Sequence, residues 1–287
     1  MTVQATQPDA SPRTTSSRTA TTRRYLMCRP THFDVLYEIN PWMHADVAVD
    51  SDRVLTQWET LRRTYLGLGH QVEVMAGVPG LPDLVYTANG ATVVGGRALG
   101  VRFQHEQRRA EAPVFTDWLR GHGFEVVDAD AVNEGEGDFL VVGQRILAAT
   151  GFRSDPAALT EVADFSGLEV VPLVLVDPRY YHLDTALTVL GDDHIAYLPA
   201  AFSAASRDSL ELLYPDAIQV GAEAAAVFGL NAVSDGRHVV VSAQAHSFIA
   251  QLRDAGYVPV PVDLSELSKG GGGIKCCTLE LRPALEA

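Results

Sequence analysis

One motif recurs along the chain at nearly constant spacing, and it dictates the architecture. An apolar run, a turn rich in Gly or Asp and a second apolar run form "ATVVGGRALGVRF" (91–103) and "FLVVGQRILAATGF" (139–152). The same pattern returns in "ALTVLGDDHIAYLPAAF" (186–202) and "NAVSDGRHVVVSAQAH" (231–246). Two short β-rich runs around such a turn read as a hairpin. The turn glycines Gly95, Gly143, Gly191 and Gly236 are 48, 48 and 45 residues apart. A helix-like stretch follows each hairpin, as in "EQRRAEAPVFTDWLRGHG" (106–123) and "SFIAQLRDAGY" (247–257). Another apolar strand comes next: "FEVVDA", "LEVVPLVLV" or "YVPVPVD".

The repeating unit is therefore ββαβ. Kelch-type propeller blades have a similar period but lack a long helix. Four clear copies plus the opening segment "RYLMCRP…VEVMAG" make about five units, with the two chain ends sharing one. The expected fold is an α/β propeller with five-fold pseudosymmetry. Loops leaving equivalent strand ends converge on the axis of such a ring. Residues far apart in sequence then line one cavity, where binding sites form.

A chain that is 47% hydrophobic and 20% charged has the apolar content for a large core. Residues 23–287 are expected to form a single domain. The first 22 residues are Ser/Thr-rich, carry no apolar periodicity and lack the hydrophobic stretch of a secretory signal; they read as a disordered tail. Only three cysteines occur, too few for a disulfide framework, so a reducing, cytoplasmic setting is expected. No run of about 18 apolar residues is present, which argues against a membrane span. The formal charge of −14 argues against nucleic acid as partner and suits a small cationic molecule. Homo-oligomerisation is left open.

Polar residues cluster where the ring would bring loops together. "EINPWM" (38–43) follows the first strand. "PDLVYTANGA" (82–91), "NEGEGDFL" (133–140), "YYHLDTAL" (180–187) and "GGGGIKCCTLEL" (270–281) each precede an inner β-run. The ring would make Asn89, Glu134 or Glu136, Asp138, His182, Asp184 and Cys276 face one another. A cysteine needs little help as a nucleophile once it is a thiolate. Histidine can protonate a leaving amine and then deprotonate water. Acidic residues can hold a cation. Glycines before the cysteine let backbone approach a substrate or move as a flap. Each feature has a plainer reading: a structural cysteine, a polar turn at "EGEGD", a glycine linker without the GK[ST] ending of a phosphate loop. Cys276 and Cys277 are adjacent, unlike the spaced cysteines of zinc sites. Neither a metal nor an organic cofactor is expected. The coincidence with the repeat register favours chemistry.

In these residues the sequence resembles the guanidino-group-modifying, or pentein, superfamily, in its dimethylarginine dimethylaminohydrolase and arginine dihydrolase branch. The resemblance runs over roughly residues 24–282. It rests on "GGGGIKCCT" near the C-terminus, on "HLDTAL" and on the acidic-glycine motif "EGEGD". It implies the five-fold propeller of ββαβ units, and a hydrolase that forms a covalent amidino-cysteine. Cys276, followed by one residue and then Thr278, looks like the nucleophile, and His182 like the general acid/base. The acidic partner falls on Glu134, although one extra residue in the motif makes Glu136 a rival. Asp184 resembles the aspartate that binds the guanidinium, and Arg102 and Arg153 match positions that hold the substrate carboxylate. Asn40 in "INPWM" and Asn89 in "TANG" resemble the arginine dihydrolases, and so favour arginine with two successive hydrolyses. Three alternatives remain: dimethylarginine hydrolysis, amidinotransfer to an amine, and a non-catalytic propeller that binds another macromolecule.

Overall fold

A computed structural model describes residues 18–283. Its strands form five separate three-stranded sheets. The chain enters with β1 (Arg24–Cys28), crosses through helix α1 (Ser51–Gly67) and returns as β2 (Gln71–Met75), parallel to β1. The second unit is β3 (Thr92–Val94), β4 (Arg97–Leu99), α2 (Glu111–Gly121) and β5 (Glu125–Val127). The third is β6 (Phe139–Val142), β7 (Arg145–Thr150), α3 (Pro156–Ser166) and β8 (Glu169–Val174). A single helical turn, α4 (Leu183–Ala186), introduces β9 (Leu187–Gly191), β10 (His194–Tyr197), α5 (Ala204–Leu213) and β11 (Ile218–Gln219). After the short α6 (Ala222–Ala225) come β12 (Val233–Ser234), β13 (His238–Ser242), α7 (His246–Asp254) and β14 (Val258–Val262). The last strand, β15 (Leu279–Glu280), returns to β1 and pairs with it antiparallel.

Every sheet has the same plan: an inner strand antiparallel to the middle one, and an outer strand parallel to it beyond the helix. The first and last strands share a sheet, so the ring closes through the chain ends. Parallel pairing requires a crossover, which the helix supplies. The outer strands carry Pro172, Pro259 and Pro261. An outer edge tolerates proline because its missing N–H faces no further strand.

The register departs from expectation in one hairpin. Gly95, Gly96, Gly143 and Gly236 have positive φ, between 57° and 96°, as tight turns require. Gly191 does not; it ends β9 opposite His194, a β-bulge follows, and Asp192 and Asp193 make the turn. Residues 18–22, which the sequence reading assigns to the tail, make contacts with the rest of the chain. Arg18 Nε donates to Ala255 O at 2.9 Å and its guanidinium lies over the Tyr257 ring, while Thr21 N donates to Asp235 O at 2.8 Å. Residues 18–22 thus run against the fifth unit. The remainder of the proposed tail lies outside the described residues.

The apolar cores lie between helices and sheets and join neighbouring units. Leu99 of the second unit, for instance, packs with Phe139, Ile146, Val162 and Phe165 of the third. At the turn end of the inner strands a cavity of about 810 Å³ is lined by Gly95, Gly143, Gly191, Ser234, Lys275 and Arg282 among others. At the opposite end the loops that precede the inner strands meet, and the candidate site lies there. Among the described residues no helix is long and apolar enough to cross a membrane.

Candidate active site

Four loops and the segment before β15 build the site from equivalent places in the units. Glycine makes their close approach feasible. Gly135 has φ +56° with the carbonyl of Ala91 against it, and a Cβ on Gly137 would run into Asn89 Nδ2 and stand 3.2 Å from the His182 ring. The "EGEGD" turn can therefore pass between the loops carrying Asn89 and His182. Ala88 N donates to Cys276 O at 3.0 Å, which ties the Asn89 loop to the cysteine segment. Asp138 anchors the histidine loop: its carboxylate accepts from Ser154 Oγ at 2.7 Å and Leu183 N at 3.3 Å.

Cys276 is buried, 1% exposed. Its sulfur donates to Asp184 Oδ2 at 3.2 Å and accepts from Asn231 Nδ2 at 3.1 Å. Burial, then the Asp184 carboxylate, pushes the thiol well above its ordinary range. Burial raises Asp184 to about 7. The sulfur therefore stands as an S–H on the Asp184 carboxylate rather than as a thiolate. Cys277, equally buried, is pushed up by burial and bonds to none of these groups through its sulfur.

His182 is fully buried with Nε2 2.9 Å from Glu134 Oε2, and its Nδ1 has no partner among the described residues. Glu134 also takes both oxygens to Arg153 Nη1, at 2.9 and 3.2 Å, and has Arg108 Nη1 at 3.7 Å. Against the cost of burial, Arg153 foremost and then His182 hold Glu134 far below the usual carboxylate range. Glu136 points the other way. Lys275 Nζ approaches it at 2.6 Å, and Arg282 and the Glu280 N–H also bond to it. Of the two rivals, Glu134 is the one beside the imidazole. Glu136 neutralises the cations between the site and the far cavity.

Around Glu134 the buried carboxylates outnumber the buried cations. Asp83, Glu111 and Glu134 share the two buried arginines Arg108 and Arg153, while the cation that acts on Asp184 is Lys275. Burial raises Asp83 and Glu111, and brings Asp138 to about 6. Oδ1 of Asp83 and Oδ1 of Asp184 have no partner among the described residues. Such a pocket is prepared for a cation with several N–H donors. Asn40 closes it from the first unit: its Nδ2 donates to Gly270 O at 3.3 Å, and a Cβ on Gly271 would meet its amide at 2.5 Å. Arg153 Nη2 donates to Ile39 O at 2.9 Å, holding the same loop over the site.

The ring brings together seven of the eight residues singled out from sequence: Cys276, His182, Glu134, Asp184, Asn89, Asn40 and Arg153. Arg102 is the exception. It is exposed between buried Val101 and Phe103, donates to Asp130 O at 3.0 Å and lines a separate outer cavity. Extended backbone alternates its side chains, and Arg102 falls on the outer side. The second buried arginine is Arg108, on the turn before α2. It donates to Asn89 Oδ1 at 2.9 Å and to Glu111 Oε2 at 2.8 Å. Asn231 was also missed, although it opens the fifth hairpin and the repeat register pointed to its position.

The sequence profile of the family described as "N,N dimethylarginine dimethylhydrolase, eukaryotic" matches residues 38–283. An N(G),N(G)-dimethylarginine dimethylaminohydrolase of Mycobacterium tuberculosis is 53% identical over 93% of this chain and 88% of its own length. A bifunctional arginine dihydrolase/ornithine cyclodeaminase of Nostoc is 36% identical over 90% of this chain, which spans only 38% of that protein. The product-bound N-terminal domain of ArgZ, a cyanobacterial arginine dihydrolase, superposes with a TM-score of 0.88 at 34% identity, over 92% of this chain and 98% of that domain. A dimethylarginine dimethylaminohydrolase adduct at 18% identity and a TM-score of 0.74 shares the fold.

Proposed function

Because the chain belongs to the dimethylarginine dimethylaminohydrolase family of the pentein superfamily, a family of hydrolases acting on guanidino groups, we propose that its substrate is L-arginine. The products are ornithine, carbon dioxide and ammonia, formed in two rounds at one cysteine. The observation that carries this reading is the amide of Asn89. Arg108 can only donate, so the atom it bonds at 2.9 Å is Oδ1. The buried Nδ2, packed against Gly137 where that residue borders the His182 ring, is then an N–H donor without a partner among the described residues. A guanidinium has only donors and cannot satisfy it. The ureido carbonyl of citrulline can. The first hydrolysis thus makes the group that fits this donor, and an aspartate there would repel that carbonyl.

In the first round the guanidinium enters among Asp184, Asp83 and Glu134. Its positive charge offsets the carboxylate that keeps Cys276 protonated, the thiol proton passes to His182, and the thiolate forms. The sulfur attacks the guanidino carbon. His182 gives a proton to one nitrogen, the C–N bond breaks and ammonia leaves. The amidino-cysteine is then attacked by water, whose proton passes to His182, and the C–S bond breaks to give citrulline and the thiolate. In the second round the same sulfur attacks the ureido carbon; C–N cleavage and a further water yield ornithine, carbon dioxide and ammonia. Glu134 orients the imidazole and stabilises its protonated form.

A second reading, hydrolysis of dimethylarginine to citrulline and dimethylamine, is favoured by the name of the relative at 53% identity. Incubating the purified protein separately with arginine and with asymmetric dimethylarginine, and identifying products by mass, decides between them. Ornithine from arginine is the expected result. Dimethylamine without ornithine would replace the first reading with the second.

A further inference from the structure

The fifth unit contributes a residue to the site for which the reaction above has no use. Asn231 lies just before β12, the place in the repeat that holds Asn89, Asp184 and Cys276 in other units. It is fully buried. Its Oδ1 accepts from Cys276 N at 3.0 Å. Its Nδ2 donates to Asp184 O at 3.0 Å and to Cys276 Sγ at 3.1 Å. Its own carbonyl accepts from Lys275 N at 3.2 Å. These partners fix which way the amide points. A backbone N–H can only donate and a backbone carbonyl can only accept, so the oxygen faces Cys276 N and the nitrogen faces Asp184 O. The atom against the sulfur is therefore an N–H donor.

We propose that Asn231 is the positioning residue of the nucleophile: it holds the backbone and the sulfur of Cys276 in one geometry and keeps a hydrogen bond on the sulfur after the proton has left. The inference rests on reading Cys276 as the nucleophile. The sulfur has two bonds, one donated to Asp184 Oδ2 and one accepted from Asn231. Loss of the S–H removes the first and leaves two anions in contact. The Asn231 N–H is then the donor that remains, and a bond to the charged form favours that form. The same N–H receives the sulfur when it departs as thiolate from each tetrahedral adduct. Asn231 thereby links the fifth unit to the fourth and the first at the reacting atom.

The test is the pH dependence of Cys276 alkylation by 2-chloroacetamidine, with the labelled peptide identified by mass, in wild type, Asn231→Asp and Asn231→Ala. Asn231→Asp keeps the acceptor for Cys276 N and replaces the donor at sulfur with an oxygen. Its alkylation midpoint should rise by about one pH unit or more, with a rate at pH 7 lower by about tenfold. Asn231→Ala should raise the midpoint by a smaller amount, and it stands in if the aspartate variant fails to fold. Arginine turnover should show a fall in kcat with KM little changed, whereas loosened packing alone would leave the pH midpoint in place. Labelling of Cys276 with unchanged midpoints in both variants overturns the inference. Absence of label on wild-type Cys276 overturns the nucleophile reading itself, and this inference with it.

Discussion

Cys276 and Cys277 are neighbours with equal burial, yet only the first sulfur touches Asp184 and Asn231. Cys276→Ser should lower turnover of arginine by about a thousandfold or more while the protein stays folded, because an alcohol ionises far less readily than a thiol. Cys277→Ser should retain most activity. Equal losses in steady-state assays would detach the chemistry from Cys276. Asn89→Asp exchanges the unpartnered donor for an acceptor, so citrulline should accumulate at the expense of ornithine. An unchanged product ratio would remove the argument for two rounds. The sequence made Cys276, His182 and Asp184 visible because each stands at the same point of a repeat. It misled at Arg102, which alternates outward between the buried Val101 and Phe103, and nothing in "QHEQRRAE" marks Arg108 rather than Arg109 as the arginine that turns inward. Arg108 does so through an ion pair three residues ahead, with Glu111, and that pairing has the same appearance on any exposed helix.

The loops that carry these residues depend on backbone that only glycine supplies at a few points. Gly271 has φ +89° and packs against Asn40, so a methyl group there is opposed by conformation and by space. Gly271→Ala should cost about 1 kcal/mol or more, lowering the melting temperature by about 2–4 °C and raising KM for arginine, because the cover over the site no longer seats. Gly121→Ala is the matched control. No atom lies within 4 Å of its added methyl and its φ is not positive, so it should be neutral or slightly stabilising by differential scanning calorimetry. Hairpins and helices were legible from apolar runs and turn residues. Their ends were less so: Gly191 stops short of its turn because the two aspartates after it take over, and the helix read from residue 106 begins at Glu111 after a tighter turn that aims Arg108 inward.

The whole ring concentrates its buried charge on the axis and its apolar cores around it, and this sets how stability varies with pH. Asp184, held at about 7 by burial, binds more protons folded than unfolded between about pH 4 and 7. Its contribution therefore falls as pH rises through that window. His70, His105 and His194, lowered by burial, push the other way, so the useful quantity is a difference. Between pH 5 and 8 the melting temperature of Asp184→Asn should rise relative to wild type; a constant gap would show that Asp184 is ionised throughout. Closure of the ring by β15 on β1 was foreseeable from the count of units, and Glu134, Asp138 and Asp184 from their repeat positions, but nothing among the 36 acidic residues of the sequence marks Asp83 and Glu111 as buried beside Arg108. The most direct measurement is rapid acid quench of enzyme turning over arginine labelled in the guanidino carbon, followed by peptide mass analysis. The account predicts a labelled adduct, arginine less ammonia, on the Cys276 peptide and localised to that sulfur. Product formation with the label on Cys277, or with no adduct on Cys276 at any quench time, would contradict it.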